Sequence, residues 1–136
     1  MFTVKLLWGG WSMDSHLLHA DITHAVLGAA FEVHGILGPG FLEKLYENAL
    51  AKEFERRRIP FQQQVEVPIL YKGDEVGTHK LDLLVANTVV VELKAVRAFE
   101  DIHKQIAVAY LKATNLSVAL LLNFATQSLQ YKRIIR

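Results

Sequence analysis

The sequence contains no cysteine, which excludes disulfide bonds, thiolate metal sites and cysteine nucleophiles. It also lacks an apolar run of the roughly 18 residues that a membrane-spanning helix needs. The apolar patch in residues 1–11 is interrupted by a lysine and two glycines and has no small-residue cleavage site, so it does not fit a signal peptide. No glycine-rich phosphate loop occurs, and the histidines show no metal-binding spacing. We therefore expect a cytoplasmic protein that has no membrane association and does its chemistry with other side chains.

Composition indicates a folded protein but says little about its partners. A chain of 136 residues is long enough to bury a core, and its 51% hydrophobic content is that of a globular domain. The net charge of +1 gives no strong attraction to nucleic acid, so such binding would need local basic patches. Residues 56–58 and 132–136 contain the two candidate clusters. Each can equally be a solvated helix end or a charged tail.

Residues 1–17 share no period with the rest of the chain, and we interpret them as an irregular N-terminal extension. Met13 stands just before the first regular pattern and is a candidate for the natural start. Residues 18–136 are predicted to form a single domain.

Apolar periodicity predicts an alternation of helices and strands. The predicted helices cover 21–37, 41–57 and 102–114, and the predicted strands cover 61–71, 76–85, 88–95, 116–124 and 129–135. The second helix is expected to bury an apolar stripe of Leu42, Leu45, Tyr46, Ala49, Leu50 and Phe54. Pro68 marks the first strand as an edge strand or a bulge, and the strand over 116–124 is expected to be central. This order predicts an α/β fold with a mixed sheet that is flanked by helices.

The second and third strands bring charged residues into apolar surroundings. If their hairpin turn is centred on Asn87, Asp82 lies directly across from Glu92, and Lys94 shares the same face. The odd-numbered strand positions then form an apolar face of Leu81, Leu83, Val85, Val89, Val91 and Leu93. Buried charges are costly unless they are paired, hydrogen-bonded or bound to a metal.

Two facing carboxylates, with the Leu93 carbonyl nearby, suit Mg²⁺ or Mn²⁺. A bound divalent ion supports phosphodiester hydrolysis, in which Lys94 could stabilise the developing negative charge. The alternative is a cross-strand salt-bridge cluster that only stabilises the hairpin. Both interpretations are open on these residues alone.

An ordered series of motifs resembles a known family. Asp82 followed by Glu92-Leu93-Lys94 resembles the signature of the PD-(D/E)XK nuclease superfamily, and the segment from Gly40 to Tyr46 matches the motif of its GxxExxY branch. Further matching segments are Glu32-Val33-His34, Leu37-Gly38-Pro39-Gly40, Tyr71-Lys72-Gly73, Val91 to Val96, Tyr110 to Thr114 and Leu122-Asn123-Phe124.

The resemblance implies a restriction-endonuclease-like core with a sheet of about four to five strands flanked by helices. It implies Asp82 and Glu92 as metal ligands and Lys94 as the catalytic lysine, with Glu43 completing the metal site. The accessory residues that it implies are Tyr46, His103 and Gln105. The family's glutamine stands three residues after the histidine, where this chain has Ile106. Because one residue along a helix rotates a side chain by about 100°, Gln105 is expected to point away from the metal.

The leading hypothesis is a Mg²⁺-dependent or Mn²⁺-dependent nuclease that acts on DNA, with RNA as the less favoured substrate. The alternative is an inactive or weakly active module of the same fold that binds nucleic acid or a protein partner. The high apolar content also suggests a homodimer.

Overall fold

The computed structural model describes residues 18–136, so the predicted N-terminal extension and Met13 lie outside the described residues. Within this range the elements follow the predicted order. They are α1 (Ala20–Leu37), α2 (Glu43–Arg57), β1 (Phe61–Tyr71), β2 (Asp74–Val85), β3 (Val89–Lys94), α3 (Asp101–Thr114), β4 (Val118–Asn123) and β5 (Gln130–Ile135). No helix in this range is long and apolar enough to cross a membrane.

The segment from Gly38 to Gly40 separates the first two helices. Gly38 has a φ of 68°, and its N–H donates to the His34 carbonyl at 2.8 Å, which ends α1. Pro39 cannot continue the helix, and Gly40 has a φ of 117°, which glycine adopts far more easily than any other residue. The chain therefore turns at a fixed place before α2 begins at Glu43.

The predicted apolar stripe of α2 is partly wrong. Leu42 and Leu45 have exposed fractions of 76% and 49%, whereas Glu47 and Ala51 are buried. Leu42 is the N-cap residue rather than part of the helix. Glu47 is buried because polar side chains of β1 hydrogen-bond to its carboxylate. The helix is therefore rotated relative to the predicted stripe.

Two hairpins set the register of the first three strands. Lys72 and Gly73 both have positive φ, which is typical of a two-residue type I′ turn, so β2 begins at Asp74 and not at residue 76. In the second hairpin Val85 pairs with Val89, and Leu83 pairs with Val91. The predicted turn centred on Asn87 is therefore confirmed.

The five strands form one mixed sheet in the order β1-β2-β3-β4-β5. β3 and β4 are parallel and are joined through α3, and the other neighbouring strands are antiparallel. β4 is buried along its whole length, as predicted for a central strand. β1 is an edge strand whose register shifts between Ile69 and Leu70, next to Pro68. The predicted α/β class and the number of strands are confirmed.

Helices cover both faces of this sheet. α1 and α2 pack on one face, where Tyr46, Leu50 and Phe54 meet Leu83, Val91 and other apolar residues of the strands. α3 packs on the opposite face, where Ala107 and Leu111 meet Val90 and Leu121. β3 therefore lies between two apolar layers, one formed with α1 and α2 and the other formed with α3.

The β1–β2 hairpin exchanges faces near its middle. Leu83 packs in the α1/α2 layer, but Leu81, which should share its face by alternation, packs in the α3 layer. In β1 the same exchange of faces occurs, because Phe61 packs in the α1/α2 layer and Val65 packs in the α3 layer. The predicted continuous apolar face is therefore wrong at Leu81, because regular alternation breaks between Leu81 and Leu83.

Candidate functional site

Asp82 and Glu92 face each other where β2 and β3 stop pairing. The regular ladder ends at Leu83 and Val91, and beyond it each carboxylate binds a main-chain N–H of the other strand. The Asp82 N–H donates to Glu92 Oε2 at 2.9 Å, and the Leu93 N–H donates to Asp82 Oδ2 at 2.9 Å. The two side chains thus replace main-chain partners, and these bonds fix the orientation of both carboxylates.

Each of these carboxylates keeps one oxygen available. Within residues 18–136, Asp82 Oδ1 and Glu92 Oε1 accept no hydrogen bond. Mg²⁺ and Mn²⁺ prefer oxygen ligands such as carboxylates. The donor set therefore fits a hard divalent cation.

Burial makes the negative charge of the pair costly. Glu92 is only 5% exposed, and burial, followed by the Asp82 charge, raises its pKa to about 8. Burial also raises the pKa of Asp82, against the opposing effect of the Leu93 N–H. A bound cation would relieve both the desolvation and the repulsion.

Lys94 is the last residue of β3 and supplies positive charge to the site. Its charge lowers the pKa of Glu43, Asp82 and Glu92, although in each case burial has the larger opposite effect. The salt bridges found among residues 18–136 do not include Lys94. The ion pair required by the salt-bridge interpretation is therefore absent from the described residues, and the ammonium lies near all three carboxylates without pairing to one.

Glu43 reaches the site from the first turn of α2. Burial raises its pKa, Lys94 lowers it and Asp82 raises it, so its carboxylate lies within the field of the strand residues. No group of three His, Cys, Asp or Glu side chains in the described range is arranged to hold a metal ion. Glu43 therefore stands near the Asp82–Glu92 pair without forming a preassembled three-carboxylate cage.

Tyr46 fixes the loop that leads to Glu43. Its hydroxyl donates to the Gly38 carbonyl at 2.5 Å and accepts from the Phe41 N–H at 3.1 Å. The fully buried ring stacks on Phe124 with the centroids 4.7 Å apart. Tyr46 is thus placed to position the start of α2 rather than to touch a substrate.

Comparison with known proteins identifies the family of this chain. The family model described as the PD-(D/E)XK nuclease superfamily matches residues 20–134, which is nearly the whole chain. The chain belongs to the PD-(D/E)XK nuclease superfamily. No curated protein and no solved structure matches it.

The α3 helix of this PD-(D/E)XK chain carries the remaining predicted accessory residues. His103 Nδ1 accepts from the Glu100 N–H at 2.9 Å and completes a capping box at the start of α3. Gln105 is exposed, and Ile106 is half-buried one turn before Tyr110. His103 therefore has a structural role here, and the hydrophobic Ile106 lies on the same side of α3 as Tyr110.

Tyr110 is a site neighbour that the sequence did not assign. Burial, followed by the charges of Glu92 and Asp82, raises its pKa to about 12. Its ring lies 4.2 Å from that of His79 on β2, measured between centroids. The sequence feature that could have assigned Tyr110 to the site was its place in the motif from Tyr110 to Thr114. Periodicity indicated only a core or rim residue.

The Asn123 side chain hydrogen-bonds to the backbone segment that follows Lys94. This fully buried side chain donates to the Val96 carbonyl at 2.8 Å and accepts from the Val96 N–H at 3.1 Å. The neighbouring Phe124 N–H donates to the Lys94 carbonyl at 3.0 Å. The amide therefore extends the β3–β4 pairing beyond its last regular pair and fixes the backbone beside Lys94.

Glu47 is an acid that the sequence did not assign to the site, and it lies one turn after Glu43. It is 4% exposed, and its carboxylate accepts hydrogen bonds from Lys44, Gln63 and Gln64. Its charge also raises the pKa of Asp82. The spacing of four residues from Glu43 was visible in the sequence, but its partners come from β1 and could not be assigned.

Proposed function

We propose that this protein is a metal-dependent nuclease that hydrolyses phosphodiester bonds of DNA, with RNA as the less favoured substrate. The observation that carries the proposal is the Asp82–Glu92 pair, in which each carboxylate has one oxygen bound to a main-chain N–H and the other without a hydrogen bond from residues 18–136. Membership of the PD-(D/E)XK nuclease superfamily supports nuclease chemistry. The match from Gly40 to Tyr46 further suggests the GxxExxY branch.

Asp82 and Glu92 would hold Mg²⁺ or Mn²⁺, with Glu43 as an additional acidic ligand or as a group that acts through water. When bound, the ion neutralises phosphate charge and lowers the pKa of water. Lys94 would stabilise the negative charge that develops on the phosphate and orient the attacking water. Tyr46 and Asn123 would keep Glu43 and Lys94 in place through the loops that they hold.

The basic clusters give little additional support for a broad DNA-binding surface. Arg57 pairs with Glu53 at 2.6 Å, and Arg58 forms the C-cap of α2. Arg133 donates to the Leu18 carbonyl, and Arg136 donates to Asn115 at 3.5 Å. Because the Arg57, Arg133 and Arg136 side chains have internal partners, we expect nucleic-acid contacts to depend more on the site itself.

Cleavage of plasmid and single-stranded DNA in the presence of Mg²⁺ or Mn²⁺ tests the proposal. Wild-type protein should cut, and Lys94→Ala should abolish cutting without loss of fold. Lys52→Ala is a matched control, since Lys52 is an exposed lysine of α2 with a side-chain exposure of 77%. Equal cleavage by the wild type and Lys94→Ala would show that a contaminant is responsible.

A second candidate function is a binding module that has lost turnover, and the half-buried Ile106 beside an exposed Gln105 favours it. This module would bind DNA in a salt-sensitive manner without cleaving it. Electrophoretic mobility shifts, measured beside the cleavage assay, separate the two functions. The homodimer stays a prediction that analytical ultracentrifugation would test.

A further inference from the structure

Gln64 has an unusual backbone conformation at the point of β1 that faces Asp82. Its φ of 56° lies in the left-handed region, which a non-glycine residue inside a strand rarely adopts. Gln63 pairs with Leu83 and Val65 pairs with Leu81, yet Gln64 and Asp82 between them do not pair. The register is the same on both sides, so no residue has been inserted and the irregularity is a local rotation.

This rotation is where the hairpin exchanges faces. On one side of Gln64, Phe61 and Leu83 pack in the α1/α2 layer, and on the other side Val65 and Leu81 pack in the α3 layer. If Gln64 took an ordinary strand conformation, alternation would continue and these residues could not keep both positions. The direction in which Asp82 projects is therefore coupled to the conformation of Gln64.

Glu47 holds Gln64 in this conformation. Gln64 Nε2 donates to both carboxylate oxygens of Glu47 at 3.0 Å. Lys44 and Gln63 donate to the same carboxylate at 3.0 and 2.6 Å. A buried charge with this many donors is fixed in place, so it can offset the strain at Gln64.

We propose that Gln64, anchored by Glu47, is a positioning residue for the carboxylate of Asp82. The α2 helix would then contribute to the site in two ways. Glu43 would contribute directly, and Glu47 would contribute indirectly through Gln64 and the backbone of β2. The effect of Gln64 on metal binding rests on the proposed function, in which Asp82 is a metal ligand. The role toward the orientation of Asp82 does not require a metal.

Two glutamine variants test this proposal with a matched control. Gln64→Ala removes the anchor. Gln63→Ala removes a different hydrogen bond to Glu47, from a residue that pairs regularly with Leu83, and leaves Glu47 bound to Gln64 and Lys44. In metal-free protein, the amide resonances of Asp82 and Leu93 report their hydrogen bonds to the two carboxylates. We expect both resonances to shift in Gln64→Ala and to stay in place in Gln63→Ala.

Mn²⁺ affinity, measured by calorimetry, provides the second readout. Loss of a group that orients a ligand typically weakens metal binding by about 10-fold or more, so we expect this for Gln64→Ala and no change for Gln63→Ala. A purely structural role would lower the melting temperature of both variants and leave their resonances and affinities as in the wild type. That result would overturn the proposal.

Gln64→Gly guards against a variant that fails to fold, because glycine adopts positive φ without strain. Because residue 64 then needs no Glu47 anchor to keep its positive φ, the folded variant should keep the wild-type Asp82 and Leu93 resonances and Mn²⁺ affinity that Gln64→Ala loses. Shifted resonances or weaker Mn²⁺ binding in Gln64→Gly would show that the conformation of residue 64 does not set the orientation of Asp82, and would overturn the proposal. If the wild type binds Mn²⁺ but cuts no DNA, the proposed function fails while this proposal is still decided by resonances and affinity. If it binds no Mn²⁺, the resonances alone decide.

Discussion

Replacing Glu92 by glutamine should remove a pH dependence of stability from the metal-free protein. Glu92 is almost fully buried, and burial, reinforced by Asp82, raises its pKa to about 8. Glutamine has the same shape, carries no charge at any pH and keeps an oxygen that can accept from the Asp82 N–H. The variant therefore isolates the ionisation of this one side chain.

The sign follows from the two states of the chain. Folded Glu92 keeps its proton up to about pH 8, whereas the unfolded carboxyl loses its proton near the ordinary value of 4.5. The stability that comes from the retained proton is complete below pH 4.5 and is lost as the pH rises toward 8. The loss is at most about 1.4 kcal/mol per pH unit. Since the ionisation of Glu92 is coupled to the charge of Asp82 and water can relax the site, we expect about 1–2 kcal/mol between pH 6 and pH 8.

Urea unfolding in EDTA at pH 6, 7 and 8 measures this effect in the wild type and in Glu92→Gln. The free energy of unfolding should fall with pH in the wild type and fall less in the variant, so that the variant is the more stable protein at pH 8. Glu55→Gln is the control, because Glu55 has a side-chain exposure of 59% and should keep the wild-type slope. Groups that are unchanged in the three proteins cancel in the comparison.

Equal slopes in the wild type and Glu92→Gln would refute the reasoning. They would mean that the Glu92 carboxylate ionises in the folded chain as it does in the unfolded chain. Addition of Mg²⁺ gives an internal check, because an ion that binds the ionised pair should stabilise the wild type most at pH 8 and should not stabilise Glu92→Gln.

Three further predictions concern the same site. Mn²⁺ affinity should weaken as the pH falls from 8 to 6, by up to about 10-fold per pH unit, because Glu92 must release its proton on binding; calorimetry that shows no pH dependence would contradict this. Asn123→Leu should destabilise the fold by about 1–3 kcal/mol in urea unfolding, because it leaves the N–H and carbonyl of Val96 without their partner, and a wild-type midpoint would show that water replaces the amide. Tyr46→Phe removes the hydrogen bond to Gly38 and should cost about 1 kcal/mol, with weaker Mn²⁺ binding through Glu43; unchanged affinity would limit Tyr46 to a role in stability.

Local sequence patterns determined the elements and the pairing of the central hairpin. Periodicity changes from helix to strand at the correct places, since each element buries one face and its spacing is fixed by backbone geometry. The turn around Asn87 sets the register, and the register alone puts Asp82 across from Glu92. The motif series predicted the superfamily, which the match over residues 20–134 confirmed.

Tertiary contacts decided how the candidate site is assembled. Glu47 is buried, whereas Leu42 and Leu45 are exposed, because the rotation of α2 depends on hydrogen bonds from β1 that no local pattern of α2 contains. Tyr110 lies near the carboxylates because α3 packs on the sheet face opposite to α1 and α2, a placement that follows from the crossover between the parallel strands β3 and β4.

The exchange of faces at Gln64 is the feature of the fold that the sequence predicts least well. Alternation predicted that Leu81 shares the face of Leu83. A glutamine in a strand does not indicate the positive φ that Gln64 has. Such a conformation costs on the order of 1–3 kcal/mol by itself and persists only when surrounding contacts offset it. The contacts come from Glu47 on a separate helix. The sequence by itself therefore determined which acids are opposed, and the packing of α2 against β1 decided how they are oriented.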